Sequence, residues 1–229
     1  MNKTILAVIL LVSAFSINAQ SSRATSDLSH GYDTKKKMTQ GHQFLLDDWV
    51  IGFLVDNNGK LSKRKLLNYD IYNNNPTSKT NTTTKDILVI DKNLYSGFVL
   101  KDSKNEQYIF SKIDAYDFES KKKETKYYQL VNAPKKTVIV ESRKVMKDPN
   151  ASGWSSSGLS TKAAKFVMKT SIYVLNSNNK YVKVKLSSSS ISKSLKDKKK
   201  EIKAFIKQKD LKIKTASDLI PIMDYYHSL

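Results

Sequence analysis

Asp114, Asp117 and Glu119 form the densest acidic group of the chain. Two carboxylates a few ångströms apart can share acid and base work at a glycosidic bond. These three are therefore the residues to test for a hydrolase acting on glycans. Spacings of three and two residues at a strand end also describe a solvated loop, and that is the preferred reading. Asp47 and Asp48, ahead of the first apolar run, read the same way.

Other chemistry fails on spacing. The histidines are His30, His42 and His227, two in or beside a polar leader and one at the C-terminus. A metal site needs several ligands held rigidly together, and no such set is expected. Gly153-Trp154-Ser155-Ser156-Ser157-Gly158 lacks the paired glycines, two before and two after one serine, of a hydrolase elbow. Asp56-Asn57-Asn58-Gly59 overlaps part of a calcium loop but has no distal glutamate, and a hairpin turn explains it more simply. No glycine-rich phosphate loop is present, and no cofactor is expected. Cys is absent, which excludes a disulfide scaffold, a thiol nucleophile and a thiolate metal site. Trp154 is a weak binding candidate, able to stack on a sugar, although a packed loop anchor accounts for it as well.

The charge is strongly basic: Lys+Arg 40 against Asp+Glu 21, a formal net charge of +19. Only Arg23, Arg64 and Arg143 are arginine. Sites that read phosphate in fixed geometry favour the planar arginine fork, so a lysine-dominated chain fits a solvated surface better than a nucleic-acid site. Three lysine triplets stand out: residues 35–37, then Lys121, Lys122 and Lys123, then Lys198, Lys199 and Lys200. If they converge, a polyanion site results; otherwise attraction to polyanions is weak and salt-sensitive. No specific nucleic-acid partner is expected.

The elements that must carry these residues begin with an export signal. Lys3 precedes an apolar run over residues 5–15, and Ala19 precedes Gln20. That layout describes a signal peptide, residues 1–19, with cleavage near Gln20. The run is shorter than the roughly 20 residues a bilayer span takes, so the mature chain is expected to have no transmembrane span. Residues 20–43 are polar and aperiodic and read as a flexible leader. Period-two patterning starts at Trp49 and recurs in short runs to Leu186, punctuated by Asn, Asp and Gly turns. Asn58-Gly59 predicts a hairpin with positive φ at both turn centres. Residues 73–86, rich in Asn, Thr and Ser and containing Pro76, predict a loop. After Ser190 the period becomes helical. Ile191, Leu195, Ile202, Phe205 and Ile206 share one stripe, and Asp197 is placed to cap the main helix. Thr215 to Asp218 resembles a capping box before a last short helix, with Pro221 in its first turn.

The expected fold is α+β and mostly β. An antiparallel meandering sheet over residues 44–187, curled, sandwich-like or barrel-like, is followed by a C-terminal pair of short helices over 188–229 that pack on it. The opening Trp49-Val50-Ile51-Gly52 hairpin, the amphipathic Glu201-Ile202-Lys203-Ala204-Phe205-Ile206-Lys207 and the terminal Asp218-Leu219-Ile220-Pro221-Ile222-Met223-Asp224-Tyr225-Tyr226 carry a likeness. In these the chain resembles exported β-rich proteins of Bacteroidota with a short helical C-terminus. That resemblance implies compartment and architecture and no catalytic residue. The leading functional reading is a non-enzymatic binding or structural module of the periplasm or cell envelope. An envelope protein or glycan is the expected class of partner. A glycan hydrolase is the alternative, and a polyanion-binding surface protein a further one.

Overall fold

A computed structural model of the protein describes residues 28–31, 39–148 and 163–229. Residues 1–19, residues 35–37 and the segment bearing Trp154 lie outside the described residues.

The strands in chain order are β1 (Leu28–Gly31), β2 (Thr39–Gln40), β3 (Val50–Asp56), β4 (Lys65–Asp70), β5 (Asn75–Lys79) and β6 (Leu88–Ile90). Then come β7 (Tyr95–Lys101), β8 (Gln107–Ile113), β9 (Lys126–Leu130), β10 (Val138–Lys147), β11 (Ala164–Leu175) and β12 (Tyr181–Val184). All join one sheet in the order β1-β6-β5-β4-β3-β7-β8-β9-β10-β11-β12, with β2 parallel on β11 and every other pair antiparallel. From β3 the chain meanders outward in both directions, which is what short turn-linked strands produce. β1 and β2 fall in the region whose composition suggested a flexible leader; each is held by backbone pairing to a distant strand.

The sheet curls. At about 4.8 Å per strand, a flat sheet would set β4 about 24 Å from β10. Instead the Lys144 amide donates to the Ile71 carbonyl at 3.2 Å, and the Tyr69 hydroxyl donates to the Tyr127 carbonyl at 3.3 Å. The curl is not a closed barrel. Its concave face buries Leu54, Leu67, Tyr69, Phe98, Leu100 and Phe110. Phe98 stacks on Phe110 at 4.5 Å, and Tyr69 meets both edge-on at 5.2 Å.

The same face continues onto β10, β11 and β12, where helices replace the curl as cover. They are α1 (Ser188–Ser194), α2 (Lys199–Gln208) and α3 (Ile220–Tyr226), one more than the expected pair. Val138, Val174 and Val184 meet Ile191, Leu195, Ile202, Ile206, Ile222 and Met223 there. The opposite face of β9 to β12 buries Tyr128, Ile139 and Tyr173 under Phe118. Tyr127 and Tyr128 mark the alternation, one in each core.

Local chemistry sets the boundaries. Three turns share one construction, at Asp56–Lys60, Asp102–Glu106 and Asn176–Lys180. In each, the first side chain accepts from the amides two and four residues on, at 2.8–3.0 Å. The fourth residue is left-handed: Gly59 (φ 82°), Asn105 (φ 64°) or Asn179 (φ 55°). Asn58 is not left-handed, so the first hairpin is a three-residue turn rather than the two-residue form read from Asn-Gly. The loop expected over residues 73–86 contains β5. Pro76 fits because β6 pairs only Thr77 and Ser78, so its missing N–H breaks no ladder on that side. The helical stripe is split by a 3-10 turn at Lys196–Lys198. Asp197 does not cap α2; its carboxylate accepts from the Tyr226 hydroxyl at 2.9 Å. Ser187 caps α1, and Asp218 accepts from the amides of Lys214 and Thr215 at 2.8 and 2.7 Å.

Candidate functional site

Asp114, Asp117 and Glu119 lie on the short connection after β8, around a 3-10 turn at Ala115–Asp117. Asp114 and Glu119 are exposed. The Asp114 carboxylate accepts from the Thr125 hydroxyl at 2.8 Å, and the Glu119 amide donates to the Tyr181 carbonyl at 3.1 Å. The turn is anchored by Phe118, which is buried against Tyr128, Tyr173 and Tyr181 at ring distances of 5.1–5.4 Å. None of the three carboxylates lines the cleft at the seam of the curl or the cleft beside β3. The structure gives them a turn-forming part and does not gather them around a cavity.

The lysine candidates divide. Lys121 and Lys123 are exposed, but Lys122 turns inward. Its Nζ donates to the Tyr173 hydroxyl, lies 3.5 Å from Glu141, and sits 5.0 and 4.5 Å over the Phe118 and Tyr173 rings. It ties the loop to the sheet. Lys199 and Lys200 occupy the exposed first turn of α2, where cations oppose the helix dipole. Lys198 precedes them at the helix start. His42 and His227 are similarly engaged. His42 bonds Asp47 at 2.9 Å and accepts from the Phe44 amide at 3.2 Å, while His227 packs on Tyr226 at 5.0 Å. Among the described residues no group of three His, Asp or Glu side chains could hold a metal ion.

One partly buried carboxylate with several ionisable partners was not a sequence candidate. Glu141 sits mid-strand in β10 with its side chain 13% exposed, accepting from the Tyr173 hydroxyl at 2.8 Å. Burial pushes its carboxyl up, but the Tyr173 hydrogen bond, Lys122 and Lys126 outweigh that and hold it below the ordinary value. Tyr173 is pushed up in turn, first by burial and then by the same bond. A depressed folded value contributes stability above the unfolded pKa of about 4.3, and this is lost as pH falls through the folded value. Between pH 5 and pH 3 the wild-type melting temperature should therefore fall more steeply than that of Glu141→Gln. Parallel slopes in thermal melts would remove Glu141 as the acid-sensitive group.

The smaller of the two clefts, of about 420 Å³, lies at the seam of the curl, between Tyr69, Asn74 and Tyr127 on one side and the middle of β10 on the other. The larger, of about 720 Å³, lies on the convex face beside β3. Strand alternation puts Gly52 and Leu54 into the core and leaves Ile51 and Phe53 facing this cleft. Trp49 forms one wall, edge-on to Phe44 at 5.3 Å and capped by Lys79 Nζ at 5.0 Å. Arg64, Lys101, Ser103 and Asn105 supply polar lining. Two lining carboxylates already hold the structure: Asp47 bonds His42, and Asp102 accepts from the amides of Lys104 and Glu106 at 2.9 Å. Asn68, buried at 1% exposure, fixes this wall by donating to the carbonyls of Leu46 and Asp48 at 2.8 and 3.0 Å. Trp49 was visible in the sequence only as the first residue of an alternating run. Its place on a cleft depends on Asn68, some twenty residues away.

The fold defines a class: an open, curled β-sheet with a helical cover on one end. Comparison with protein-family models, with curated proteins and with solved structures gives no match. Among the described residues no helix is long and apolar enough to cross a membrane.

Proposed function

We propose that the protein is an exported, non-catalytic binding module of the periplasm or cell envelope, and that the convex cleft beside Trp49 holds an envelope glycan. Residues 1–19 support export, through a basic start, a short apolar run and a small residue before Gln20. The observation that carries the binding reading is the Trp49 wall. It brings the indole, with Lys79 over its ring, together with Ile51 and Phe53 and with amide, hydroxyl and cationic lining groups. Sugars present apolar C–H faces and a ring of hydroxyls, which such a wall can stack on and bond. Asp47 and Asp102 accept local hydrogen bonds at the rim.

Intrinsic fluorescence tests this, because Trp49 is one of only two tryptophans. Titration with soluble oligosaccharides of N-acetylated sugars should perturb wild-type emission. Trp49→Ala should weaken binding at least tenfold in calorimetry, about 1.4 kcal/mol, with an unchanged fold by circular dichroism. Equal affinity of the wild type and Trp49→Ala would remove the cleft from the proposal. Export is tested separately: the N-terminal sequence of the cell-envelope form should begin at or near Gln20.

A further inference from the structure

We infer that the distal half of the β10–β11 ribbon is a docking element for an anionic lipid surface. The two strands pair without a break from Val138↔Val174 to Lys147↔Lys165. β9 supports only the first part of β10, at Ile139 and Val140, and β12 reaches β11 only from Ile172 onward. Beyond these, the distal half is held only by single contacts and a two-residue strand: the Lys144 amide bonds the Ile71 carbonyl at 3.2 Å, and β2 pairs Ala164 and Lys165. Its two faces differ in kind. Met146, Phe166 and Met168 lie on one, together with Lys144, whose ammonium donates to the Phe44 carbonyl at 2.6 Å, and Tyr72 meets Phe166 edge-on at 5.4 Å. Tyr72, Met146 and Met168 are 44%, 42% and 45% exposed, so several of the largest exposed apolar side chains of the described residues share one patch.

The other face is cationic. Arg143 lies directly opposite Lys169, and Lys147 directly opposite Lys165. All four are exposed; the acids next to them in sequence are Glu141, which is bonded to Tyr173 and Lys122, and Asp148. Like charges directly opposite across a strand pair destabilise it, so two such pairs on one short ribbon break a local rule at a cost in stability. Local rules are broken chiefly at functional or strained sites. Apolar side chains on one face and paired cations on the other match the boundary of an anionic bilayer, where methionines and an aromatic enter the acyl edge and cations lie among phosphates. The basic helix α2 is not the docking element, since Ile202 and Ile206 are buried against the sheet.

The test uses residues 20–229, because the apolar run over residues 5–15 would itself bind lipid. The chain has no cysteine, so Met168→Cys gives a unique site for an environment-sensitive fluorophore, with Met146→Cys as a second site. At physiological salt, vesicles containing phosphatidylglycerol should blue-shift the probe, and pure phosphatidylcholine vesicles should not. In co-sedimentation, Met146→Ser/Met168→Ser should lose roughly tenfold in affinity and Lys147→Gln/Lys165→Gln roughly fivefold per lysine, near the value of one basic residue at such a surface. Lys199→Gln/Lys200→Gln, which removes equal charge from α2, should change little. Equal losses from the ribbon and α2 lysines, with none from the methionines, would mean diffuse charge attraction and would overturn the inference. So would an unshifted probe, or a probe that responds to heparin or an acidic protein and not to vesicles.

Discussion

Gly52→Val is expected to cost about 3 kcal/mol or more, and to leave little folded protein at 37 °C. Gly52 sits in β3, paired with Lys65 on one side and Leu100 on the other. A Cβ there would lie 2.4 Å from the Val99 carbonyl oxygen and 2.9 Å from a Leu67 methyl. The Leu67 methyl can shift, but the carbonyl belongs to the ladder that joins the two halves of the sheet. The gap cannot open without parting β3 from β7. Gly59 is the control. A Cβ added there meets nothing within 4 Å, and only its φ of 82° resists substitution. Gly59→Ala should cost about 1 kcal/mol, the range for local backbone strain. Urea denaturation of the two variants should separate them clearly. Equal costs would mean that β3 and β7 leave room for a side chain between them.

The second large effect is Ile202→Ala, expected to cost about 2–5 kcal/mol. Ile202 is fully buried where α2 crosses the strands, among Val138, Val184 and Leu195 in one core. Phe205 looks like the dominant residue of this helix by size, yet it is only half-buried and stacks on Tyr225 at 4.1 Å. Phe205→Ala should therefore cost less, about 1–2 kcal/mol. Thermal melts of the two variants rank them. A larger loss at Phe205 would mean that α2 is rotated about its axis, with Phe205 rather than Ile202 facing the sheet.

The strands were legible because alternation and turn chemistry agree. β7, β8 and the β11–β12 hairpin follow from period two bounded by Asp- or Asn-headed turns. β5 was hidden because Asn75, Pro76, Thr77 and Ser78 carry no apolar period. It is a strand through its pairing with β4, with the Thr77 hydroxyl donating to the Asn68 carbonyl at 3.0 Å. The split between α1 and α2 was also hidden. Ile191, Leu195 and Ile202 satisfy a single helical stripe, and the 3-10 turn between them depends on the contact of Asp197 with Tyr226, twenty-nine residues on. The functional candidates fared worse for the same reason. Lys122 looked like one of three solvated lysines, and its inward turn requires Tyr173 and Glu141, each from a different strand. Nothing in a neighbourhood of ten residues encodes such a contact.

The helical cover has a consequence for the order in which the protein can be assembled. The concave face at β3 to β8 is sheltered by the curl once β9 and β10 have joined it. The same face at β10 to β12 is covered in full only when Ile222, Met223 and Tyr226, from the last described helix, join α1 and α2 on it. A chain synthesised from its N-terminus would therefore carry a finished half and an adhesive half at once. Val138, Val174 and Val184 would be open to a chaperone, or to a neighbouring chain's strands, throughout that interval. The slow step of maturation should be the arrival of α3, so that aggregation during synthesis depends on how fast residues 188–229 follow the sheet.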